Sequence, residues 1–120
     1  MDSQTTIQEL KDAVKKFCED RDWNQYHNAK DLAIGIITES SELLEHFRFK
    51  SQDQIKEMLE KPDKKMEISE EMADILYFLL RLAQMNNIDL SIEFEKKMKK
   101  NDLKYPASKT RGSNKKYNGI

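Results

Sequence analysis

The stretch "EISEEMADILYFLLRLA", residues 67–83, restricts the possible folds of this chain more than any other. From Met72 onward only Asp74 and Arg81 interrupt an apolar run, and Glu71 stands at its mouth. A helix turns about 100° per residue, so Asp74 lies on nearly the same face as Glu71, and Phe78, Leu82 and Met85 continue that face. Met72, Leu76, Leu79 and Leu80 make the remaining faces apolar as well. A helix that is apolar all round is expected at the centre of a bundle, here over residues 64–86. An isolated buried carboxylate is costly unless it is neutralised or paired. Two of them one turn apart need a compensating group.

A second helix, expected over residues 31–49, offers a matching pair. Leu32, Ile36, Leu43 and Phe47 form its apolar stripe, and "ESSELLEHF" places Glu39 and Glu42 at i, i+3. Glu39 borders the stripe and Glu42 lies about 60° further out. Paired acids at this spacing are common on solvated faces, so the weight rests on the conjunction: two helices, each with two acids, converging on four carboxylates. Neither helix carries Lys or Arg at an equivalent inward position, which leaves Arg81 and Lys97 as cations able to reach in from elsewhere. Oxygen ligands without Cys or suitably spaced His point to Mg²⁺, with Mn²⁺ as the alternative. A di-iron bundle would want Glu-x-x-His. Here His46 follows Glu42 by four residues, so that motif is absent.

The rest of the chain is read as helical too. Ile7, Leu10, Val14 and Phe17 mark an amphipathic first helix over residues 5–21, and "RDWNQYHNAK" reads as a connection. Ser51 with Gln54 resembles a capping box opening a short helix. Pro62 is expected to end that segment, with "KPDKK" as a loop. Asp89 is a candidate N-cap for a last helix to about residue 102. On that helix Lys97, Asn101 and Lys104 fall on or beside the face of Leu90, Phe94 and Met98, and Tyr105 follows. Cations there either meet a polyphosphate or extend their stems over apolar surface. After Lys104 every charged residue is basic, which sets a helical domain over residues 1–105 apart from a basic tail over 106–120.

Three Gly and two Pro in 120 residues argue against a turn-rich β protein and for long helices, hence an all-α fold. Apolar residues make up 38% and charged residues 36%, so one small core is marginal and self-association is expected. The net charge of −1 implies neither a nucleic-acid polymer nor a membrane surface as partner. Cys18 is the sole cysteine, read as a small core residue. "MDSQTTIQEL" reads as neither signal nor transit peptide, and the expected location is cytoplasmic.

Four motifs occur in order: EDRDWNQYH, ESSE, EMAD and KMKKNDLKYP. This set resembles the all-α MazG-type nucleoside triphosphate pyrophosphohydrolases, most nearly their single-domain dCTP pyrophosphatase branch, over roughly residues 8–118, including the terminal "SNKKY". The resemblance implies a four-helix MazG-like bundle completed as a dimer or dimer of dimers. It also implies cleavage of a nucleoside triphosphate between the α and β phosphates with Mg²⁺. Glu39, Glu42, Glu71 and Asp74 match the metal-binding acids, with Glu39 or Glu42 expected to help deprotonate water. Trp23 matches an aromatic that helps enclose the base, and His27 lies in the same segment. Asn101, Lys104 and Tyr105 match a stretch associated with nucleotide binding, and Lys97 is expected to assist it. Where the branch has "ELFQW" this chain has EHFRF, ending in Phe49. Where it has "DVLIY" this chain has DILYF, with Phe78 at the Tyr position. Both positions would shape a base pocket, so base preference is the open variable. Two other readings stay open: a non-enzymatic helical interaction module, and a redox-active metal carboxylate bundle.

Overall fold

The computed structural model describes residues 1–116, and among these no strand occurs. The helices are α1 (Ile7–Asp20), α2 (Ala29–Phe47), α3 (Gln52–Leu59), α4 (Pro62–Met85), α5 (Leu90–Lys104) and the single turn α6 (Ala107–Thr110). The all-α expectation holds. The tail's last four residues, and with them the tyrosine of "SNKKY", lie outside the described residues.

Local chemistry sets the ends. The Thr6 hydroxyl accepts from the Glu9 N–H and opens α1, and Asn28 does the same for α2 through the Asp31 N–H. Ser51 and Gln54 form the expected reciprocal capping box at α3. Asp89 caps α5, as expected. Pro62 does not lie in a loop: it occupies the first turn of α4, and "KPDKK" opens that helix. The N–H that proline lacks has no intrahelical partner at that position anyway, and its fixed φ suits the turn. α6 lies within the segment expected to be irregular, held by the Thr110 hydroxyl donating to the Pro106 carbonyl at 2.8 Å.

The chain forms two compact units, residues 1–87 and a second beginning at Ile88. The division thus falls at the start of α5 rather than at 105/106, where the charge composition changes. In the first unit α4 is central: α2 packs along it most extensively, and α1 and α3 also pack on it. Cys18, Leu32, Met58, Ile68, Leu80 and Ala83 are the buried apolar side chains. α4 is not dry on all sides, however. Met72 is 57% exposed, and Leu76 and Leu79 are 39% exposed. These three share one stripe of the helix, which α1, α2 and α3 leave uncovered. In the second unit α5 has no buried side chain. Among the described residues no helix is long and apolar enough to cross a membrane.

Candidate metal centre

α2 and α4 bring together three of the four expected acids. Glu39, Glu42 and Glu71 each offer an oxygen, and these atoms all lie within 4.8 Å of one another. Glu39 and Glu71 are half-buried and Glu42 is exposed. The Oε2 atoms of both Glu39 and Glu71 are buried without a hydrogen-bond partner. A buried polar atom left unpaired is costly, and such atoms are rare in folded proteins. The donor set is all carboxylate oxygen, which suits a hard divalent cation. The residues present therefore fit the Mg²⁺ or Mn²⁺ expected from the sequence.

The electrostatics agree with the geometry. Burial pushes the Glu39 carboxyl up to about 7, aided by hydrogen bonding to Glu42 and by repulsion from Glu42, Asp74 and Glu71. Glu71 is pushed up too, by burial first and then by Glu42, with His46 acting in the opposite direction. Asp74 is exposed and is not one of the three clustered ligands, but its charge acts on both Glu39 and Glu71. Sequence reasoning set His46 aside. Its Nε2 lies 3.8 Å from Glu71 Oε1, which makes it a cation source beside the cluster once protonated. The i, i+4 spacing from Glu42 on α2 was the available signal.

Toward the N-terminal half of α2 the surface becomes aromatic. A Cβ built on Gly35 would lie 2.6 Å from the Phe78 ring, so only glycine lets that ring lie against the α2 backbone. Phe78 meets Tyr77 edge-on, Tyr77 meets Phe17, and Phe17 meets Trp23, which in turn meets His27. The Tyr77 hydroxyl lies 3.2 Å from the buried Cys18 thiol, and burial raises the phenol well above its ordinary value. Trp23, His27 and Phe78 therefore belong to one continuous aromatic wall. Arg81 does not reach into the acids. It is 1% exposed, and its guanidinium donates to His27 Nδ1 (3.0 Å), Gln84 Oε1 (2.6 Å) and Asn24 Oδ1.

Phe49 sits elsewhere. It follows α2 with φ 63°, is 92% exposed and carries the Arg48 guanidinium 4.6 Å above its ring. Gly35 and Phe47 are twelve helical residues apart, or roughly 18 Å, so Phe49 and Phe78 do not meet within one chain. Phe49 lines a cavity of about 660 Å³ between the end of α2, α3 and the start of α4, shared with His46, Arg48, Lys61 and Lys64. Lys97, Asn101, Lys104 and Tyr105 all lie on α5 or its C-cap in the second unit. Lys97 and Lys104 are exposed, Asn101 is half-buried with its amide 3.9 Å from Met98 Sδ, and the Tyr105 N–H closes the helix on the Asn101 carbonyl.

Residues 34–120 match the model of the MazG-like family. The chain belongs to the MazG-like family. Its relatives include dCTP pyrophosphatase 1 of Rattus norvegicus, 30% identical over 96% of this chain and 68% of the relative. The Bos taurus dCTP pyrophosphatase 1 is 30% identical over 98% of this chain and 70% of the relative. Among solved structures, a pyrophosphatase from Archaeoglobus fulgidus is 41% identical, covers 82% of this chain and 91% of its own, and superimposes with a TM-score of 0.77. As a MazG-like protein the chain is an enzyme of the nucleoside triphosphate pyrophosphohydrolase class. The acids expected from ESSE and EMAD fall on facing helices, three of them with oxygens within 4.8 Å of one another.

Proposed function

We propose that this chain hydrolyses a deoxynucleoside triphosphate, dCTP or a close analogue, to the monophosphate and pyrophosphate, with Mg²⁺ as its cofactor and Mn²⁺ as a substitute. The observation that carries this reading is the cluster of Glu39, Glu42 and Glu71 with two orphaned buried oxygens. Glu39, Glu42 and Glu71 would hold the ion, and Asp74 adds negative charge beside them. A divalent ion bound there supplies neutralisation of the phosphates and of the charge that builds on the departing oxygen. Glu42, the exposed member, takes the proton of the attacking water. The water oxygen bonds to the α phosphorus, the bond to the bridging oxygen breaks, and pyrophosphate leaves with that electron pair. Trp23, His27 and Phe78 face the base from the aromatic wall, whose ring faces suit stacking. The family resemblance also assigns Lys97, Asn101, Lys104 and Tyr105, on α5 and its C-cap, to nucleotide binding. The role is removal of excess or non-canonical nucleotides.

Self-association completes the molecule. Met72, Leu76 and Leu79 on α4, and Ile37 and Leu44 on α2, form exposed apolar surface that a second copy would cover. It also provides a route for Phe49 of one copy to meet a base held by another.

The test is incubation with a panel of deoxynucleoside triphosphates, with and without Mg²⁺, assaying pyrophosphate against orthophosphate, with the mass measured in parallel by light scattering. Metal-dependent pyrophosphate release, largest with dCTP, is expected. Orthophosphate as first product, or turnover unaffected by chelation, refutes the reading.

A further inference from the structure

Among the described residues Arg81 is the largest side chain to be completely buried, and no carboxylate pairs with it. Burying a guanidinium away from a counter-charge is expensive unless its donors are satisfied. What the guanidinium adds is direction. Its planar fork of donors fixes the positions of several acceptors at once. Here the acceptors are Gln84, one turn along α4, and Asn24 and His27 of the α1–α2 connection. Otherwise residues 21–28 hydrogen-bond locally, to partners no more than five residues away. Arg81 is therefore the hydrogen-bonded tie between this connection and the helix that carries Glu71. Trp23 sits in the same connection, in edge contact with His27.

The direction of one bond has a chemical consequence. Arg81 Nε carries a hydrogen and donates, so His27 Nδ1 must accept. An imidazole that accepts at Nδ1 carries its single proton on Nε2. His27 can then offer a ligand a donor and never an acceptor.

We propose that Arg81 is a positioning residue for the base end of the site, fixing Trp23 through Asn24 and His27 and setting His27 as a donor through Nε2. The inference rests on the reading above of Trp23 and His27 as base-facing groups. It adds the class of base edge that fits: one presenting a carbonyl oxygen or an unprotonated ring nitrogen to His27, rather than an amino group.

The chain has one tryptophan, so its fluorescence reports on Trp23 alone. Arg81→Lys keeps the charge and loses the fork. With helical circular dichroism and Mg²⁺-dependent stabilisation retained, its Trp23 emission should shift to the red and become more accessible to acrylamide. Its KM for the nucleotide should rise about tenfold while kcat changes less than about threefold, as expected for lost positioning. His27→Asn keeps an acceptor close to the Nδ1 position but places no donor at Nε2. It should show native Trp23 emission with a raised KM. Should Arg81→Lys fail to fold, Asn24→Ala removes one arm from an exposed residue and should give a smaller red shift. Wild-type emission and quenching in a folded Arg81→Lys, or in Asn24→Ala where that variant is the one tested, overturns the proposal. The emission is read without nucleotide or metal. A shifted Arg81→Lys in a protein silent toward every nucleotide would refute the assigned reaction and leave the positioning role standing.

Discussion

Arg81 and Glu71 stand ten residues apart on α4, roughly 15 Å along its axis, and the contrast between them explains what each end of the helix does. Arg81 is completely buried, yet its donors meet neutral oxygens and a nitrogen supplied by the chain itself. Glu71 is half-buried, and its nearest neighbours are other acids and a histidine 3.8 Å away, with one oxygen left unpartnered. A charge whose hydrogen-bonding needs are met inside the chain holds the scaffold in place. A charge placed among like charges stores unfavourable energy that a cation from outside can release.

The strongest test of that contrast is to neutralise each charge in turn. Glu71→Gln should lower pyrophosphate release by about 10²–10³-fold, since one ligand oxygen and its charge are lost from the site. In the absence of divalent ions the same variant should unfold at higher denaturant concentration than wild type at pH 8, because repulsion within the cluster is relieved. Arg81→Met should do the opposite. It takes the donor away from the half-buried acceptors on His27 and Gln84, costing about 1–3 kcal/mol in urea unfolding, while the exposed Asn24 can turn to water. Should Glu71→Gln destabilise the metal-free protein, or Arg81→Met stabilise it, the two charges do not differ in the way described.

Most of the acid site was legible because helical spacing carries it. Glu39 with Glu42 and Glu71 with Asp74 follow from the period of α2 and α4, and an apolar helix carrying acids demands a partner for them. Spacing places a residue on a face but does not say what covers that face. For that reason Met72, Leu76 and Leu79 read as buried and are exposed, and Asp74 reads as clustered and stands beside the other three. Arg81 was visible as a cation in an apolar run. Its partners Asn24 and His27 lie 57 and 54 residues away, beyond any periodicity, and only the packing of α1 and α2 on α4 brings them to it. Phe49 and Phe78 were joined by motif likeness, and the length of α2 separates them. Pro62 was read as a helix stop when its chemistry equally permits a helix start.

Phe78 lies between the two charges in sequence, and Gly35 controls where its ring rests. Gly35→Ala should gain up to ~1 kcal/mol of helix propensity but lose about 1–3 kcal/mol to overpacking. The atoms in the way include Cγ at 2.8 Å, close to the α4 backbone, so the ring cannot give merely by bending its tip. A net loss of about 1 kcal/mol is therefore expected, recovered in the double variant with Phe78→Leu. Retained full stability in Gly35→Ala alone would show that the ring has free room.

The finest distinction between the two ends is the sign of their response to pH. Glu39 has a folded pKa raised to about 7, so its contribution to stability is present in acid and lost as pH rises through that value. Mg²⁺ should accordingly raise the unfolding midpoint more at pH 8 than at pH 6, since only the ionised cluster gains from it. His27 responds the other way. Burial, and after it the charge of Arg81, lowers its pKa below 6.5, so the folded state favours the neutral ring. Its contribution is complete above pH 6.5 and fades as pH falls toward the depressed value, when a proton must enter at Nδ1 and displace the Arg81 hydrogen bond. Trp23 emission should therefore shift to the red on acidification, reversibly, before the helical signal is lost. The shift should be absent in His27→Asn, which has no group there to titrate. An acid shift that persists in His27→Asn would assign the transition to another group and remove His27 from the account of how Arg81 holds the connection.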